Sequence, residues 1–133
     1  MKGYNDNIET LTEQNGDFRR VLYTGKHLQL VLMTIEPGEE IGSEVHDDRD
    51  QFFRFESGSG IVDIDGAENP VEDGSGVIVP AGARHNVRNT GKEPLKLYSI
   101  YGPPEHIDGV VHHTKADAEK RHADEEWDGK TTE

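Results

Sequence analysis

Between residues 18 and 102 every apolar run is stopped within a strand's length by glycine, proline or a cluster of turn residues. That punctuation constrains the fold more than any other feature, because it leaves no room for long helices. HLQLVLMTI (27–35) ends at PGEEIG (37–42), and QFFRFESG (51–58) runs into the turn SGSG (57–60). GIVDIDG (60–66) sets Val62 and Ile64 against Asp63 and Asp65, and GVIVP (76–80) is stopped by Pro80. LKLYSIYG (95–102) closes the series, FRRVLYTG (18–25) and RHNVRN (84–89) add further strands, and ENPVEDGSG (68–76) reads as a turn-rich connection. About seven or eight short strands at this spacing predict an all-β sandwich or barrel, with a closed jelly roll as one way to remove open edges.

The flanks read differently. Residues 1–16 are polar and read as a loosely held start. Residues 103–113 open with Pro103-Pro104 and are expected to cross the barrel surface. Thr114 is placed to cap a short helix over about 115–127, with Asp117 at the third helical position. Ala116, Ala123 and Trp127 form a thin apolar stripe on it, and 128–133 read as frayed. The pattern gives one domain over 1–133, a barrel over about 18–102 and a surface segment with a short helix over 103–127.

Composition narrows the chemistry. The chain has no cysteine, which excludes disulfides, thiolate metal sites and cysteine nucleophiles. A formal net charge of −13 argues against a nucleic-acid partner. No apolar run is long enough to span a membrane and no cationic leader precedes one, so the expected location is the cytoplasm. No phosphate-binding glycine loop, nucleophile triad or dinucleotide fingerprint is present.

The candidate chemistry lies in EVHDDRDQ (44–51) and in GSGVIVPAGARHNVRN (74–89). On a strand, Glu44 and His46 share a face, and Gln51 opens the next strand on the face that holds Phe53 and Phe55. His85 shares its face with Val87 and Asn89, and Arg84 points the other way. Two imidazoles and one carboxylate suit a divalent metal with open positions, and Gln51 offers an amide oxygen. Spacing alone does not pair these residues. The alternative for Glu44 is a rim carboxylate or a partner of Arg49 or Arg54. The alternative for His46 and His85 is a satisfied core histidine, and for Gln51 a buried amide bonded to Glu44 or His85. Asp47, Asp48 and Asp50 read as solvent-facing turn residues. Phe53, Phe55, Val77 and Val79 read as barrel lining. Tyr98, Tyr101, His106, His112 and His113 offer candidate acids, bases or contacts if the tail folds over the barrel mouth.

GEEIGSEVHDDRDQFFRFESG (38–58) resembles the first cupin motif, with Gly38, His46 and Gly58 in place, Glu44 at the first histidine and Gln51 at the glutamate. Residues 74–89 resemble the second motif without a gap, through Gly74, Pro80, Gly82, His85 and Asn89. The resemblance implies a cupin-type jelly-roll β-barrel with one divalent ion (Fe, Mn, Ni, Co or Zn) held by Glu44, His46, Gln51 and His85. A carboxylate has moved from the third ligand position to the first, which keeps two imidazoles, one carboxylate and the same ligand charge. The activity implied is that of a metal-dependent enzyme on a small organic substrate, of oxygenase or related redox type. An isomerase or lyase acting on a sugar or carbonyl compound, and a non-catalytic ligand-binding barrel, are the alternatives. The sequence offers no cationic cluster for a sugar phosphate and no evident base. A homodimer is expected, with the segment 18–35 supplying an edge.

Overall fold

The computed structural model describes residues 1–121 and 126–133. The elements run α1 (Ile8–Gln14), β1 (Arg19–Thr24), β2 (Gln29–Ile35), β3 (Glu44–Val45), β4 (Asp50–Ser57), β5 (Ser59–Ile64), β6 (Ala67–Glu72), β7 (Gly76–Val79), β8 (Arg84–Asn89), β9 (Leu95–Gly102), β10 (Val111–His112) and α2 (Lys115–Arg121). They build two antiparallel sheets, one ordered β10-β1-β2-β9-β4-β7 and the other β3-β8-β5-β6. This is an all-β jelly-roll barrel with a short C-terminal helix.

Period-two patterning decides which side chains face inward. β4, β8 and β9 alternate buried and half-exposed residues along most of their length. Phe53, Phe55, Val62, Val87, Leu95 and Leu97 are fully buried between the sheets. Deleting the Phe53 ring would cost about 3–5 kcal/mol, because so tight a core relaxes little into the cavity. The same alternation carries Gln51, His85, Ser99 and Tyr101 inward, so the barrel interior turns polar toward one end. Gly58 turns β4 into β5 at φ +88°, where a Cβ would stand 2.6 Å from the Pro94 carbonyl oxygen. Glycine is therefore required there, as the motif suggests.

Several expectations need correction. The start of the chain is held. Asn7 caps α1 by accepting the Thr10 N–H at 3.0 Å, and Lys96 Nζ donates to the carbonyls of Glu13 and Asn15 at 2.8 Å each. α1 packs against β2, β4 and β9, which covers the outer face of β2 and explains why all seven β2 residues are buried. Residues 68–76 are more than a turn, since most of that stretch lies in β6. Pro70 stands opposite Ile61, and β6 is an edge strand, where proline's missing donor is tolerated.

The C-terminal part also differs. α2 carries the expected capping box, with Asp117 N–H donating to Thr114 Oγ1 at 3.1 Å and Thr114 N–H to Asp117 Oδ2 at 3.3 Å. Ala118, not Ala116, is its buried residue, and Ala123 lies outside the described residues. Trp127 lies beyond α2, and its backbone N–H donates to the Glu105 carbonyl at 3.0 Å. The tail is pinned rather than frayed. Thr132 N–H donates to the Thr24 carbonyl at 2.9 Å, and Glu133 accepts the N–H groups of Lys2 and Gly3 and the Tyr23 hydroxyl, each at 2.7 Å. The outer backbone of β1 is consequently occupied by β10, by the Val110 carbonyl and by Thr132. No helix among the described residues is long and apolar enough to cross a membrane.

Candidate metal centre

The two sequence segments meet because β3 pairs with β8 in a register that sets Glu44 directly across from His85. The His46 carbonyl accepts the Gly82 N–H at 2.9 Å, which ties the first segment to the turn of the second. One ligand atom from each of Glu44, His46 and His85 lies within 4.8 Å of the others. Gln51 enters from the facing sheet. Its Nε2 donates to Ser99 Oγ at 2.9 Å, which fixes the amide, and its buried Oε1 has no hydrogen-bond partner among the described residues. A buried acceptor left unsatisfied costs about 1–3 kcal/mol. A cation among these groups would satisfy it. Two imidazoles, a carboxylate and an orphaned amide oxygen are a donor set that fits a borderline divalent ion.

The protonation pattern of the metal-free cluster follows from its neighbours. His85 Nδ1 lies 3.3 Å from the Ala83 carbonyl and donates to it, which leaves Nε2 free as a ligand atom. Burial, helped by the nearby His46, pulls His85 below the ordinary histidine value. Burial also disfavours charge on Glu44 and His46, but each is overruled by the other. Their 3.0 Å Nε2–Oε2 contact lowers the Glu44 carboxyl and, with Glu105, raises His46. His46 faces a carboxylate from each ring nitrogen, with Glu105 Oε2 at 3.5 Å from Nδ1. Two facing carboxylates favour the protonated form of that imidazole.

Of the residues singled out in the sequence, Glu44, His46 and His85 converge, and Gln51 is buried on the facing sheet beside Tyr101. Glu44 pairs with neither Arg49 nor Arg54, which bind Glu105 and Asp48, and Glu56, respectively. Gln51 bonds to Ser99 rather than to Glu44 or His85. Asp47, Asp48 and Asp50 are exposed. Tyr101 is 6.0 Å ring to ring from His46 and 5.2 Å from His106, and burial raises its hydroxyl pKa strongly. His112 is buried beside Arg19, His113 is exposed against Asp17, and Tyr98 packs on Phe52 away from the site.

Glu105 carries the most chemistry of the residues not foreseen. It faces His46, receives a hydrogen bond from Arg49 Nη1 and lines a cleft of about 620 Å³ at the mouth with Glu44, His46 and Trp127. Burial, with repulsion from Glu44, raises its pKa against the pull of His46 and Arg49. Gln29 places it. The Gln29 Oε1 accepts the N–H groups of Glu105 and His106 at 3.2 and 3.0 Å, and Nε2 donates to the His106 carbonyl at 2.7 Å. Nothing local in PPEHIDG marks Glu105, since its position depends on an amide 76 residues earlier in the chain.

A two-sheet jelly roll with imidazoles and a carboxylate gathered inside one end is the architecture of a cupin. The chain belongs to the cupin domain family, whose model matches residues 31–101. It is 52% identical over 118 residues to the uncharacterized protein YrkC of Bacillus subtilis, a match spanning 84% of this chain and 63% of YrkC. It is 37% identical over 110 residues to the uncharacterized protein L612 of Acanthamoeba polyphaga mimivirus, covering 79% of this chain and 68% of that one. Among solved structures it is similar to BH2720 of Bacillus halodurans, with TM-score 0.88, 49% identity, and 90% and 95% of the two chains covered.

Proposed function

We propose that this cupin is a metal-dependent enzyme acting on a small organic molecule, with oxygenase or related redox chemistry as its reaction. The observation that carries this reading is the convergence of Glu44, His46 and His85 on one point, with the orphaned Gln51 Oε1 in the same interior. A divalent ion held by these four residues supplies Lewis acidity toward an organic oxygen and, if redox-active, electron exchange with dioxygen. The chain's own residues do the rest. In the metal-free chain a hydrogen bond holds Glu44 and His46 together, Ser99 fixes the Gln51 amide, and Glu105 orients the His46 ring from its far side. Phe53 and Tyr101 flank the histidines and limit the water around them.

Glu105 favours a second reading, an isomerase or lyase that moves a proton next to a carbonyl. A carboxylate held at the cleft wall with a raised pKa has the position and the affinity of a general base.

Tag-free protein loaded anaerobically with Fe, Mn, Ni, Co or Zn and then dialysed is expected to retain about one ion per chain. A Glu44→Ala, His46→Ala, His85→Ala triple variant is expected to retain none, and unchanged metal content in that variant would end the metal reading. Gln51→Leu, which keeps the volume but removes the acceptor, is expected to weaken retention about tenfold. Dioxygen uptake across a panel of small organic substrates separates the two reactions. Turnover without uptake, lost in Glu105→Gln, would replace the first reading by the second.

A further inference from the structure

Arg19 is only 5% exposed, on the inward face of β1. Its guanidinium lies 5.3 Å from the Phe18 ring centroid and donates from Nη1 to His112 Nδ1 at 3.3 Å. Its Nε is buried without a partner, and no carboxylate lies within ion-pair distance of it among the described residues. A guanidinium cannot shed its charge at any physiological pH, so a buried one with an unpartnered Nε and no carboxylate at ion-pair distance among the described residues is an unmet demand for an anion. Arg19 lines a second cavity, of about 360 Å³, which is bounded by the β2–β3 connection and by α2. Lys115 stands on its rim as a second cation, while Phe18, Ile41 and Ala118 give it apolar walls. Glu44 belongs to this cavity as well as to the mouth cleft, so an occupant would lie against the proposed metal centre.

We infer that this second cavity binds a small organic monocarboxylate, its carboxylate on Arg19 and its apolar body against Phe18, Ile41 and Ala118. The class follows from the walls. One guanidinium edge matches one carboxylate in bidentate fashion. The carboxylates of Glu44 and Glu119 on the same cavity disfavour a dianion such as phosphate, and the apolar walls ask for carbon behind the charge. That the acid is also the substrate rests on the metal-dependent reading above. The binding itself does not, and the test keeps the two apart.

Butyrate is titrated calorimetrically into metal-free and metal-loaded full-length chain, with butyramide and inorganic phosphate as parallel arms. Butyrate is expected to bind both forms, more tightly when metal offsets the Glu44 charge, while butyramide does not bind and phosphate binds more weakly. Arg19→Met is expected to weaken butyrate by about tenfold or more, and Lys115→Gln by a few-fold. Arg19→Lys, which keeps the charge but not the fork, falls between. Should Arg19→Met fail to fold, Arg19→Lys and Lys115→Gln still report, through the rise in melting temperature that butyrate gives the wild type. No butyrate binding by the metal-free wild type, equal binding of butyramide, tighter binding of phosphate, or an affinity unmoved by all three substitutions would each overturn the inference. Butyrate binding in a chain that retains no metal would uphold it while removing the metal reading.

Discussion

Two cavities share Glu44 and differ in electrostatic character, one strongly acidic and the other balanced. The mouth cleft, about 620 Å³, is lined by Glu44, Asp47, Asp48, Glu105 and Glu126, with Arg49 as its cation. The inner cavity, about 360 Å³, has Arg19 and Lys115 against Glu44 and Glu119. The proposed cation would enter through the acidic mouth, and the proposed acid would meet the wall of the inner cavity that carries Arg19. A chain of net charge −13 suggests uniform acidity, and the difference shows why that average misleads. Most of the surplus carboxylates are solvated and screened within about 10 Å, whereas the charge on buried Arg19 is screened far less. A charge averaged over the chain does not describe the field at one buried guanidinium.

The largest effect expected from testing this contrast is that of His85→Ala. It should cut metal retention by roughly 100-fold or more, measured by elemental analysis after dialysis, because it removes a ligand donor outright. Butyrate affinity of the metal-free protein should stay unchanged. If it fell in parallel, the two cavities would be one site.

Glu105→Gln comes next. It leaves every proposed ligand in place but loosens the His46 ring, so metal affinity should fall about 10- to 100-fold in a competitive chelator titration. An affinity equal to that of the wild type would reduce Glu105 to a wall residue.

The pH dependence of the metal-free protein is a smaller effect with a defined sign. The Glu44 pKa is lowered on folding from its ordinary 4.5, so its stabilisation is full above that value and is lost as pH falls through the lower folded value. The His46 pKa is raised from its ordinary 6.5, so its stabilisation is full below that value and is lost as pH rises through the higher folded value. The pair therefore stabilises most between 4.5 and 6.5, and His46→Gln should flatten both limbs of a denaturation-midpoint profile. Metal binding should run the other way on the alkaline side, strengthening as His46 loses its proton.

The smallest effect belongs to the rim. Asp47→Asn with Asp48→Asn should slow metal association only about two- to threefold at low salt, in stopped-flow measurements, and not at all at high salt. It should leave butyrate binding untouched.

Much of the fold was legible because local rules were enough to write it. Alternation along most of DQFFRFES and throughout RHNVRN and LKLYSIYG fixes which residues enter the barrel, and glycines and prolines set the corners. α1 was not legible, because its buried residue is Thr12, whose hydroxyl donates back to the Ile8 carbonyl at 2.7 Å and leaves no apolar stripe to read. β6 was hidden by Pro70, which only an edge position permits. The tail gave no signal because its anchors, Thr24 and Tyr23, lie more than a hundred residues away in sequence.

The sequence alone determined the strand series, the parity that turns Gln51 and His85 inward, and the motif letters that name four candidate ligands. These depend on neighbours one or two residues away, and a linear pattern records them. Only the tertiary structure decided that Glu44 stands across from His85, that Gln51 keeps an unsatisfied oxygen, and that Glu105 backs His46 through the grip of Gln29. It alone placed Arg19 in the interior, with no carboxylate at ion-pair distance among the described residues. Each of these follows from how two sheets and a tail pack, and the strength of a charge or an unpaired acceptor depends on the burial that packing creates.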